Sequence, residues 1–191
     1  MGIIVGFTVP ASMSTIRSGR LTMGVTTLIG QINLARQVAI TQNCQVEVRF
    51  YQYGDAAEGE NAAKPATGKF RSIQLVKYTD AGTYVPLGKL EHLPVGVILD
   101  QGTQVSSIFT LGTGIQAGSA LLGSIPKVGT AYNFIAFRFL PDGSTNLFPS
   151  SSLWFLTFHD AHNGDSLAAL PPNYYTVQID SANGHIKTYR P

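Results

Sequence analysis

The chain has 191 residues, enough for one sizeable core, and a net charge of +2, too small by itself to draw it to nucleic acid or a membrane surface. Charged residues are 13% of the total against 44% hydrophobic, and Gly, Ser, Thr, Asn and Gln are abundant, a mix that suits a β-rich extracytoplasmic protein better than a cytosolic enzyme with charged helices. The lone cysteine, Cys44, excludes an intramolecular disulfide and a thiolate metal cluster, and its place between a helix pattern and a strand pattern marks it as a small buried hydrophobe.

The first apolar stretch, Ile3 to Met13, is interrupted by Pro10 and is far shorter than the ~20 residues a spanning helix needs. No charge precedes it, so it is not a complete export signal either. From Leu21 to Gln42 the apolar residues Val25, Leu28, Ile32, Ala35 and Ala39 recur at steps of three and four, the mark of an amphipathic helix with one packed face. Asn43 is a residue that tolerates the end of a helix.

After Asn43 the period changes to two. In QVEVRFY, residues 45–51, Val46, Val48 and Phe50 face one way and Glu47, Arg49 and Tyr51 the other, as in a half-buried strand. The polar stretch 53–68 offers nothing to bury and reads as an exposed loop leading to a second strand, FRSIQLVKY. A short apolar strand ends KLEHLPVGVILD. A stretch rich in Gly and small residues fills 110–131. YNFIAFRF is a strong strand followed by a Pro141-Asp142-Gly143 turn, and SLWFLTFHD is another. The last segment, NYYTVQIDSANGHIKTYRP, reads as a hairpin whose Ala-Asn-Gly suits a type I′ turn. The predicted plan is α+β: a helical unit over 1–43 followed by an antiparallel β domain over 44–191.

Chemistry-bearing motifs are few. His159 and His162, three apart beside Asp160, would share a helix face and could approach a metal, but the strand before them and Asn163-Gly164 after them predict a solvated turn, with no third ligand in view. No Gly-x-Ser-x-Gly elbow occurs, and Ser150 to Ser152 read as a loop run. The Gly-rich text from 112 lacks the Lys-Ser/Thr ending of a phosphate loop. Tyr51, Tyr53, Tyr78 and Tyr84 suit cross-strand pairs, or else a face for sugar or peptide. No catalytic residue, metal site or cofactor is expected.

The order of these segments resembles the GspH/FimT family of type IV pilin-like proteins, the minor pseudopilins of type II secretion and their pilus relatives. Leu34, Ala35, Arg36 and Ala39 match the family's Leu-Ala-Arg-x-x-Ala before the first strand. Phe139, Pro141, Asp142 and Gly143 match its Phe-x-Pro-Asp-Gly turn, and Gly184 to Lys187 its closing strand. The text NLARQ with VEVRFY narrows the likeness to pseudopilin-like proteins of Verrucomicrobia-type gene cassettes. The resemblance covers most of the chain and is weakest between Tyr53 and Tyr132.

What the resemblance implies is a structural subunit, not an enzyme. Its helix would hold it in the inner membrane with the β domain in the periplasm, and other pilin-like subunits would be its partners, with no small-molecule substrate. Val9-Pro10 aligns with the Val-Pro found around mid-helix in the family, Ala35 standing 25 positions further on. The stretch Ile3 to Met13 is then the end of a membrane helix whose crossing half lies upstream, removed by trimming or by a start codon assigned too far downstream. Competence-pilus relatives carry Gly-Arg-x-Arg at the C-terminus for DNA; here His185 and Lys187 occupy the two Arg positions, which argues against that ligand. The alternatives are a secreted β-sandwich module for carbohydrate or peptide, and a small hydrolase built on His159 and His162.

Overall fold

The computed structural model describes residues 5–79, 82–109, 116–117, 124–126, 128–148 and 153–191, and for residues 5–13 and 116–117 the backbone alone. The predicted Ser150 to Ser152 loop run therefore lies outside the described residues, as does most of the Gly-rich text from 112.

One helix, α1, runs from Val5 to Thr41, 37 residues and about 55 Å at 1.5 Å per residue. It begins well before the Leu21 expected from hydrophobic periodicity and continues through Pro10. Pro10 has no N–H to donate to the carbonyl of Gly6 one turn back, a cost of about 3 kcal/mol that the turns on either side carry. The other end closes with a Schellman cap. Cys44 N–H donates to Ala39 O at 3.1 Å and Asn43 N–H to Ile40 O at 3.4 Å, while Asn43 takes the left-handed conformation at φ 49°. Cys44 is left half-buried against the core.

The strands are β1 (Gln45–Tyr53), β2 (Lys69–Tyr78), β3 (Tyr84–Pro86), β4 (Glu91–His92), β5 (Val97–Leu99), β6 (Gln116–Ala117), β7 (Asn133–Phe139), β8 (Trp154–Asp160), β9 (Tyr174–Ile179) and β10 (Ile186–Tyr189). They form one antiparallel sheet in the order β10-β9-β8-β5-β2-β1-β7-β6, with β3 and β4 also paired to β2. The molecule is α+β, with α1 laid across one face of the sheet. Its core joins Val25, Leu28, Ile32, Ala35 and Ala39 of α1 to Val46, Val48, Phe50, Phe137, Phe139, Leu156 and Phe158.

Two local expectations are corrected. Strand β1 is buried on both faces: Glu47, Arg49, Tyr51 and Tyr53, expected to face solvent, are all less than 8% exposed. Tyr51 and Tyr53 sit in a second apolar cluster with Leu90, Ile125, Tyr132 and Phe134, so the far face of the sheet is covered as well. The stretch between β1 and β2 is the exposed loop expected, residues 56–59, 61–64, 66 and 67 all being exposed, and it carries two single 3-10 turns, Ala56–Glu58 and Pro65–Thr67. The final hairpin closes through a longer turn than type I′. Asp180 N–H donates to His185 O and Gly184 N–H to Asp180 O, the Asp180 carboxylate accepts from Ala182 N–H, and Gly184 alone of the turn has a positive φ.

Candidate functional site

The helix presents two faces with different fates. Val25, Leu28, Ile32, Ala35 and Ala39 lie at 1% exposure or less against the sheet, joined by Leu21 one turn earlier. At 100° per residue Ile16, Met23, Gly30 and Leu34 fall on the opposite side. Ile16, Met23 and Leu34 are 54%, 66% and 45% exposed, and a side chain at Gly30 would meet nothing within 4 Å. An outward apolar stripe on a helix already paid for by its buried face has no role in the fold of the monomer.

The residues matched to the family motifs fall into two groups. Arg36, Phe139, Gly143 and Gly184 come together at the C-terminal third of α1, where two turns of the sheet meet the helix. Arg36 Nε donates to Asn183 O at 2.9 Å. The Leu140–Gly143 turn is closed by Gly143 N–H donating to Leu140 O, and Asp142 fastens it by accepting from the Ser144 hydroxyl at 2.6 Å and the Ser144 amide at 2.9 Å. Those two bonds hold the Asp142 carboxyl below its usual range, the hydroxyl contributing most. At Gly184, φ is +66° and a Cβ would stand 2.4 Å from Gly143 O and 2.7 Å from the Phe139 ring, so only glycine lets the two turns touch. Leu34 belongs to the other group, on the outward stripe; Ala35 lies in the core, and Pro141 opens the turn. Asn183 of the Ala-Asn-Gly turn and Ser181, whose carbonyl accepts from Thr145 N–H at 3.0 Å, complete the clasp.

The histidine motif is resolved differently from its sequence reading. His159 is not in a solvated turn but in β8, with no exposed surface, and His162 lies apart on the single 3-10 turn Ala161–Asn163. His159 Nε2 meets Asp100 Oδ2 at 2.6 Å, and Nδ1 meets the Asp160 carbonyl at 2.9 Å. A carbonyl can only accept, so Nδ1 carries a proton. Asp100 also accepts from Gly102 N–H at 2.6 Å and Leu167 N–H at 3.1 Å. Burial pushes the imidazolium pKa down most strongly, but the Asp100 contact and the Asp160 carbonyl outweigh it, and the pKa is raised overall. The buried His159–Asp100 pair clasps 165–167 to the sheet. Among the described residues no group of three or more His, Cys, Asp or Glu could hold a metal.

The tyrosines take structural places. Tyr78 and Tyr84 are cross-strand partners with ring centroids 5.3 Å apart. The Arg49 guanidinium lies 4.4 Å over Tyr84, and that of Arg138 5.0 Å over Tyr78. Glu47 joins both arginines, at 2.5 Å to Arg49 Nε and 2.8 Å to Arg138 Nε. Tyr53 hydroxyl contacts Ser72 Oγ at 2.7 Å and His92 Nδ1 at 3.0 Å, and Ser72 Oγ is 2.8 Å from the same nitrogen. A serine beside an imidazole invites a nucleophile reading, but Ser72 is 2% exposed inside β2 with its hydroxyl enclosed by Tyr53.

No family model matches the chain, and no curated protein matches it. Among solved structures, the minor pseudopilin EpsH from the type 2 secretion system of Vibrio cholerae is similar over 90% of this chain and 98% of that one, with 11% sequence identity and a TM-score of 0.48. No described helix is long and apolar enough to cross a membrane.

Proposed function

We propose that the chain is a structural, pilin-like subunit of the minor pseudopilin kind, built to assemble through its N-terminal helix. The observation that carries this reading is the division of α1. One stripe is consumed by the sheet, while Ile16, Met23 and Leu34 stand exposed on the other side with Gly30 open between them. A second helix can approach closely there, and the small residue lets the backbones come near. The match of Leu34-Ala35-Arg36 and Phe139-x-Pro141-Asp142-Gly143 to the GspH/FimT pattern supports the same reading. In it, residues 1–43 are the assembly helix, 44–191 the periplasmic domain, and the inner membrane holds the helix start. The partners are other pilin-like subunits, and the role needs no catalysis.

The test is site-specific photocrosslinking in the host cell. With a benzophenone side chain at Met23 or Leu34, crosslinks are expected to proteins whose own N-terminal helix is pilin-like, identified by mass spectrometry, and Gly30→Trp is expected to abolish them. Absence of such crosslinks from both positions, in cells where the protein is folded and abundant, overturns the reading.

A further inference from the structure

The face of the sheet away from α1 carries a groove at its β8–β10 end. Trp154, Leu156 and Phe158 of β8 and Val177 and Ile179 of β9 belong to the core under α1, so by the period of two Phe155, Thr157, Thr176 and Gln178 stand on the other face. Together with Leu153, Leu170 and Tyr189 they line a groove of about 330 Å³. Leu153, Leu170 and Tyr189 are 62%, 46% and 50% exposed and come from three separate segments of the chain. Single exposed apolar side chains are ordinary, but three converging on one concave surface mark a place of contact. A second hollow of about 310 Å³, lined also by Asp180, His185 and Lys187, shares Leu153 and Gln178 with the first and continues it.

Three features define the occupant. The first groove holds no charged side chain, so its Leu153, Phe155, Leu170 and Tyr189 surfaces suit a large apolar group. Its hydroxyls are already engaged, Thr157 Oγ1 bonding to the Val105 carbonyl and standing 3.0 Å from Thr176 Oγ1. The polar groups left are carboxamides, which donate and accept as a peptide group does: Gln104 is exposed, and Gln178 Oε1 accepts from the Tyr189 hydroxyl at 2.8 Å, leaving Nε2 to donate. Lastly, Lys187 is exposed with no ion-pair partner among the described residues, while the Asp180 carboxylate is turned to its own loop, accepting from Ala182 N–H and Asn183 Nδ2, both at 2.9 Å. Lys187 and Tyr189 stand two apart on one face of β10, about 7 Å along the strand. We propose that this groove docks an extended segment of a partner protein in which a large apolar residue and an acidic one stand two positions apart. The apolar side chain lies against Leu170 and Tyr189, the carboxylate meets Lys187, and the carboxamides bond the segment's peptide groups. The inference goes beyond the subunit reading and does not rest on it, because the groove lies on the opposite face of the sheet from α1.

The full chain, labelled with nitrogen-15, is titrated with acetyl-Gly-Phe-Ser-Glu-Gly-amide and with the reversed-order acetyl-Gly-Glu-Ser-Phe-Gly-amide, then with versions carrying Lys in place of Glu, and with glucose and N-acetylglucosamine as sugar controls. Saturable shifts are expected for at least one Glu peptide, confined to the amides of 104–105, 153–157, 170, 176–178 and 187–189, and its Lys version is expected to bind about fivefold or more weakly. Leu170→Ser, at an exposed position, removes part of the apolar wall and is expected to weaken binding about fivefold or more with the remaining spectrum unchanged. Lys187→Glu, also exposed, is expected to reverse the order, the Lys peptide then binding more tightly. Five results each overturn the inference: no saturable shift with either Glu peptide, equal binding of the Glu and Lys versions, an order that Lys187→Glu leaves unreversed, binding that survives Leu170→Ser, or tighter binding of a sugar. So do shifts of the same amides on dilution without peptide, which mark a second copy of the chain as the occupant.

Discussion

Replacing Asp100 by Ala tests whether the clasp between Asp100 and His159 is a charged, buried pair. The substitution strips the acceptor from His159 Nε2 at 2.6 Å, from Gly102 N–H at 2.6 Å and from Leu167 N–H at 3.1 Å, all in a region closed to water. Breaking a buried pair from one side costs roughly 3–5 kcal/mol. Three orphaned donors at ~1–3 kcal/mol each would give about 3–9, and because these are overlapping descriptions of one loss the lower range is the expectation. For a protein of this size that is a fall in Tm of about 6–20 °C. Urea unfolding followed by the fluorescence of Trp154, the single tryptophan and 3% exposed, reads it directly. The pH dependence gives an independent sign. The pKa of His159 is raised in the folded state, so its stabilisation is complete below the unfolded value of about 6.5 and is lost as pH rises through the folded value. The native protein should therefore lose stability relative to Asp100→Ala as pH rises above about 6.5. A cost under about 1 kcal/mol, or parallel pH profiles for the two proteins, would refute the ion-pair assignment.

Ile32→Ala empties a site with no exposed surface between α1 and the sheet and should cost about 2–5 kcal/mol by chemical denaturation. Gly184→Ala is expected to destabilise by about 2–3 kcal/mol, from a left-handed φ together with a Cβ driven into Gly143 O, and hydrogen exchange should quicken in the 141–145 and 180–185 turns. Met23→Lys, by contrast, should leave monomer stability within about 0.5 kcal/mol of the native value, since the side chain is 66% exposed, while reducing crosslinking from Leu34.

The sequence was informative where one face of an element was buried and one was not. The step-three, step-four spacing from Val25 to Ala39 is a direct image of a helix lying on a sheet, and Asn43 marks its stop because the cap needs a residue that accepts a left-handed turn. That the helix reaches back to Val5 was not legible, because Pro10 and the polar run Ser14-Thr15 and Arg17 to Arg20 interrupt the apolar periodicity. His159 was misread for a related reason. In HDAHNG the polar letters suggest a turn, while the partner that buries the imidazole, Asp100, stands 59 residues away and is joined to it only by the pairing of β5 with β8. The clasp of Arg36 with Asn183 is equally non-local, spanning 147 residues.

Strand β1 shows the same limit in its sharpest form and supplies its own test. Alternation from Val46 to Tyr51 predicts a solvated face, yet Tyr84 of β3 together with Ile125, Val128 and Tyr132 covers that face and leaves Glu47 5% exposed between Arg49 and Arg138. Polar letters there mark an internal network, since a carboxylate with two guanidinium partners can be buried whereas a single charge cannot. Glu47→Gln keeps the volume but leaves two positive charges close together with no other ion-pair partner among the described residues. Glu47 should therefore behave as a core residue: a loss of about 3–5 kcal/mol, little reduced by added salt because the groups are shielded from solvent. A solvated Glu47 would give under about 1 kcal/mol, mostly erased by salt, and that outcome would return β1 to the half-exposed strand that its alternation describes.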